Sequence, residues 1–120
     1  MEQTHEKFKL FRISGINGNF DQAFKQVEEF ANQPNLSPKS IGAEFLEKTN
    51  ELLLTLGYTP ATGQSNNIKL KVYEIGKLNE NTEVIENKIA EKAKQIKTVI
   101  CHELFVTQND DIHMIFMANI

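Results

Sequence analysis

The chain has 120 residues, 40% of them hydrophobic and 24% charged, with a net charge of −3 and a single cysteine. A chain of this length buries enough apolar surface to fold without a metal or a disulfide. One cysteine excludes both an intramolecular disulfide and a cysteine-rich zinc site. Acids and bases are interspersed (Glu74 and Glu80 sit among Lys69, Lys71 and Lys77), so there is no basic stripe of the kind a general nucleic-acid binder carries. The longest apolar runs, such as 114–118, are far too short to span a bilayer. Residues 1–7 are polar and partly acidic, unlike a secretory signal. The expectation is a cytoplasmic protein with no membrane and no nucleic-acid partner.

Phe8, Leu10, Phe11 and Ile13 are strand formers, and the run stops at Ser14-Gly15, which predicts a first strand over 8–13. The segment 14–19 joins it to a helix; its backbone N–H groups could cradle an anion, but it lacks the lysine of a phosphate loop and the three glycines of a dinucleotide site. Asn19 is a plausible N-cap, and Phe20, Ala23, Phe24, Val27, Phe30 and Ala31 recur on one helical stripe. Ser37-Pro38 reads as the cap and first residue of a second helix, with Ile41, Phe45, Thr49, Leu52, Leu53 and Leu56 inward and Gly57 as its stop.

Residues 59–67 are rich in turn formers and read as a mobile surface loop. Ile68, Leu70 and Val72 then alternate with Lys69 and Lys71, the pattern of an edge strand with one wet face. A third helix is predicted over 82–96, capped at Asn81 or Thr82, with Ile85, Ile89, Ala93 and Ile96 inward. Residues 99–106 and 112–120 form a terminal hairpin. The order β-α-α-β-α-β-β describes a single α+β domain over 1–120: a four-stranded mixed, mostly antiparallel sheet with helices packed mainly on one face. No internal repeat is visible in the sequence.

The hairpin is apolar on both faces. A two-residue turn at Asn109-Asp110 pairs Phe105 with Met114 and Glu103 with Phe116, while a longer turn swaps the faces of one strand. Helices on one face cannot cover two apolar faces, so the second face needs another cover. A homo-oligomer or protein partner is the favoured one, with Ile100, Leu104, Ile115 and Met117 as interface residues. Ile115→Asp or Met117→Asp would then dissociate the assembly and leave the fold intact.

Cys101, His102 and Glu103 are the weak catalytic candidates. On a strand Cys101 and Glu103 share a face and His102 points the other way, which argues against a Cys–His nucleophile pair. His102-Glu103 lacks the second histidine and the helix of a zinc-protease motif. Glu103 on an apolar face would have a raised pKa unless paired, so it could act as a general acid or base. His102 and His113 lie more than ~10 Å apart on the hairpin, too far to share a metal. No motif implies a cofactor. The favoured reading is a non-catalytic interaction or assembly domain. The alternative is a small-molecule binder or enzyme with a pocket near Glu103, Cys101 and Arg12, lidded by 59–67.

Overall fold

A computed structural model describes residues 5–14 and 20–120. The anion-loop expectation at 14–19 and the Asn19 cap fall almost wholly outside the described residues. Among the described residues, the chain runs β1 (Lys7–Ser14), α1 (Phe20–Ala23), α2 (Lys25–Ala31), β2 (Leu36–Leu46), β3 (Glu51–Pro60), β4 (Ile68–Lys77), α3 (Thr82–Ala93), β5 (Val99–Val106) and β6 (Asp111–Asn119). The strands form two three-stranded antiparallel sheets, ordered β1-β3-β2 and β4-β6-β5. This overturns the single four-stranded sheet with helices on one face.

The correction arises at 36–60. Ile41, Phe45, Leu52 and Leu56 fit a helical stripe, but they also fit two strands folded on each other. Leu52, Leu54 and Leu56 are buried, whereas Leu53 and Thr55 are not, a period of two. Glycine, serine and β-branched residues disfavour a helix here, and Asn50 takes a left-handed turn conformation at φ 53° that reverses the chain. Ser37-Pro38 therefore opens no helix. Pro38 sits beside a bulge at Pro38/Ser40 in β2, which is one of the two edge strands of its sheet.

The topology is a β-α-β-β unit used twice, with the first strand of each unit paired to the third. No repeat in the sequence announces it. One core, holding Phe24 at the N-cap of α2, Val27 of α2, Leu54 and Leu56 of the first sheet and Ile115 and Met117 of the second, joins the two units. The opposite face of the second sheet, with Met114 and Phe116, packs under Ile85, Ile89 and Ala93 of α3. Strand β6 is thus covered on both sides, and every residue from Ile112 to Ala118 is buried. The outer strands β2 and β5 lie side by side, although they share no ladder.

Polar side chains of the first unit tie down the second. Asn32 Nδ2 donates to the Ile68 carbonyl at 3.3 Å, and the Ile68 N–H donates to Asn32 Oδ1 at 2.6 Å. The Leu70 N–H donates to Glu28 Oε2 at 2.8 Å. These side chains occupy the open edge of β4. Asn66 Nδ2 donates to the carbonyls of Ala31, Gln33 and Leu36 at 3.0, 3.3 and 2.9 Å, capping the end of α2. The stretch read as a mobile loop over 59–67 is instead the end of β3 followed by a connector pinned by these bonds.

Asn32→Ala strips both partners from the Ile68 peptide groups, and should cost about 1–3 kcal/mol. Urea denaturation should show a lower midpoint with an unchanged slope; a change under ~0.5 kcal/mol would mean that water replaces the side chain.

Candidate functional site

The β5–β6 hairpin decides where the candidate residues point. Its register pairs Phe105 with His113, Leu104 with Met114 and Glu103 with Ile115. The Thr107 N–H donates to the Asp111 carbonyl, and Asp110 sits at φ 61°, so the loop is one residue longer than a two-residue turn. One strand's faces are therefore swapped relative to the two-residue expectation. Cys101, Glu103 and Phe105 share a face with Ile115 and Met117, while His102 and Leu104 share the α3 side with Met114 and Phe116. His102 and His113 end on opposite faces, and the His113 ring stacks on Phe105 at 5.0 Å.

These residues do not assemble into a reacting centre. Cys101 is half-buried, and its thiol is pushed up to about 11, mainly by burial; a hydrogen bond with the Ile41 backbone offsets this in part, and the Glu103 carboxylate adds to it. A thiol with that pKa is protonated, and hence a poor nucleophile, at neutral pH. His102 is exposed on the other face. Glu103 accepts from the Leu104 N–H at 3.0 Å. Arg12 lies on the other sheet, paired with Glu51 at 3.2 Å. It lines an open cleft of about 540 Å³ with Phe45, Leu46, Lys48 and Val106, whose lining includes neither Cys101 nor Glu103. Among the described residues no cluster of three potential ligands could hold a metal ion.

The residues expected to form an interface divide. Ile115 and Met117 are 0% exposed, Ile100 is partly buried, and Leu104 is 39% exposed. The cover that the second hairpin face requires is the first β-α-β-β unit of the same chain.

The apolar surface left open is elsewhere. Phe8 and Leu10 are 65% and 57% exposed, and they are neighbours on one face of β1. By register, Leu10 lies beside Thr55 and then Gly42, and Phe8 beside Gly57 and then Ser40. Among the described residues no helix covers this outer face of the first sheet; α2 packs on its inner face, where Phe30 meets Phe11 edge-on at 6.0 Å. One end of the face is closed by Ser40 Oγ donating to Glu6 Oε1 at 2.8 Å across Gly57. A Cβ at Gly57 would run into both groups, so only glycine lets that bridge lie flat on the sheet.

The same strand parity in the second unit places Ile68 and Leu70 of β4, and these are buried against the first unit. Phe8 and Leu10 are their uncovered counterparts. A sequence signal was present: 8–13 is apolar on both parities, Phe8 and Leu10 on one and Phe11 and Ile13 on the other.

No helix among the described residues is long and apolar enough to cross a membrane. Ile115→Asp should abolish the cooperative unfolding transition rather than release a folded monomer, because a carboxylate in that core costs roughly 4 kcal/mol or more. Circular dichroism checks this. Cys101 should alkylate slowly in the folded protein, its rate climbing with pH toward an inflection near 11 rather than near 9. Because the folded-state pKa is raised, the thiol's contribution to stability is intact below pH 9 and is lost between 9 and about 11. Comparison with Cys101→Ser across that window isolates it.

No family model matches this chain, and neither a curated protein nor a solved structure matches it.

Proposed function

We propose that the protein is a non-catalytic interaction module that binds through β1 and the outer face of the first sheet. The observation that carries this reading is the exposure of Phe8 and Leu10 side by side on an edge strand, at positions whose counterparts in the second unit are core. Large apolar side chains exposed as neighbours mark contact surfaces more often than isolated ones do. The nucleophile and acid–base candidates support a non-catalytic role by their placement: a protonated thiol, a histidine on the far face, and an arginine already ion-paired. The lone thiol suits a reducing compartment, which keeps the cytoplasm as the proposed location.

Residue-specific photo-crosslinking tests the reading. A benzophenone side chain at position 8 should form a discrete protein adduct in cells, and Leu10→Asp should remove it. The same group at Val84, exposed on α3, should form none. Equal labelling from both positions, or no adduct from position 8, would sink the idea.

A further inference from the structure

We propose that the partner is a second copy of this chain, added strand to strand along β1 in an antiparallel two-fold pair centred on Leu10. The proposal deepens the interaction reading and rests on it.

The edges of the two sheets are not equivalent. Strands β2 and β5 lie against each other. Strand β4 has its free edge occupied by Asn32 and Glu28, which bond the Ile68 and Leu70 peptide groups as a neighbouring strand would. Strand β1 pairs only with β3, and among the described residues nothing bonds its outer edge. Unpartnered peptide groups along an edge are a template for pairing with another chain, and β1 runs for eight residues; its lysines oppose pairing in any register that sets them against each other. A two-fold pairing uses the β1 edge of both copies, so it ends at two and does not propagate into a fibre.

The side chains of β1 select the register. In an antiparallel pair centred on Leu10, Leu10 faces the partner's Leu10 and Phe8 faces the partner's Arg12. Lys9 then faces the partner's Phe11, and Lys7 faces the partner's Ile13. No two like charges are opposed, and the Arg12 guanidinium meets an aromatic ring. Centring the pair one residue earlier puts Lys9 against the partner's Lys9, which is repulsive. Centring it one residue later puts Leu10 opposite the partner's Arg12 and separates the leucines. The Leu10-centred pair joins both first sheets into one six-stranded sheet. Phe8 and Leu10 of each copy then form a continuous apolar stripe across its middle. A single ladder with four such side chains is a small interface, so association in the micromolar range is expected.

Sedimentation velocity on the purified full chain, across micromolar to submillimolar concentrations, should show a reversible monomer–dimer equilibrium. Leu10→Asp should weaken the dimer by about 100-fold or more, because it removes the central contact and opposes two carboxylates. Leu10 is 57% exposed, so the variant should keep the wild-type circular dichroism spectrum. Leu104→Asp, on the α3 side of the second sheet, should leave association unchanged.

Oxidation reads the register directly. In a Cys101→Ser background, Leu10→Cys should form a disulfide-linked dimer, since opposed residues in an antiparallel pair have Cα atoms about 5 Å apart. Phe8→Cys should not, because four residues of offset separate the two thiols by more than about 13 Å. A strict monomer at every concentration overturns the proposal, as does a dimer that ignores Leu10→Asp. Cross-linking through position 8 in place of position 10 also overturns it, in favour of face-to-face packing. If the purified chain is monomeric while the photo-crosslink at position 8 captures a different protein, the self-pairing proposal fails and the interaction reading stands. If position 8 captures nothing, both fail.

Discussion

The structure turns on the two-sided burial of β6. From Ile112 to Ala118 every side chain is buried, so this strand needs an apolar layer above and another below. Strand β4 and helix α3 complete one side, with Phe116, Met114 and Ile112 under Ile85 and Ile89. Among the described residues the other side, Ile115 and Met117, packs in one core with Phe24, α2 and the first sheet. Exposing that side would uncover fully buried isoleucine and methionine side chains worth roughly 1.5–3 kcal/mol each. The two β-α-β-β units are therefore bound to each other by the strand that ends the chain.

Hydrogen bonds then fix how the units meet. Apolar contact is non-directional, and α2 could slide along the second sheet without a polar stop. Asn32 and Glu28 supply that stop by bonding successive inward-facing positions of β4, Ile68 and Leu70. Asn66 and Asn67, in the connector between the units, hold its two sides: Asn66 bonds three carbonyls around the end of α2, and Asn67 bonds the Ile120 carbonyl at the chain terminus. The same contacts that set the docking also occupy the edge of β4 at Ile68 and Leu70. Among the described residues no side chain does this for β1, whose outer edge stays open.

That asymmetry also explains where apolar surface remains. Each unit presents one sheet face to its own helix and one away from it. In the second unit the outward-turned face meets the first unit and becomes core. In the first unit the corresponding face carries Phe8 and Leu10 in the open, beside the small residues Gly42 and Gly57, with the Glu6–Ser40 bridge over Gly57.

Periodicity alone located much of the chain. The first strand, the stripe on α1 and α2, the lysine-bearing β4, the Asn81 cap of α3 and both hairpin strands lie where local pattern puts them, because each has one dominant period and clear flanking residues. The hairpin's two apolar faces were legible too, but the expected cover was a second copy or partner, whereas Ile115 and Met117 pack against the first unit of the same chain. What covered them was not legible, because burial is a property of packed neighbours and the sequence carries no mark of which neighbour arrives. The β2–β3 hairpin was misread for the same reason: Ile41, Phe45, Leu52 and Leu56 satisfy both periods, and only pairing with β1 decided between them. The hairpin register hinged on one turn residue, Asp110, whose left-handed conformation follows from the ladder on either side of it. Local chemistry thus determined most elements and their apolar faces. Tertiary packing decided which of those faces became core and which, on β1, stayed open.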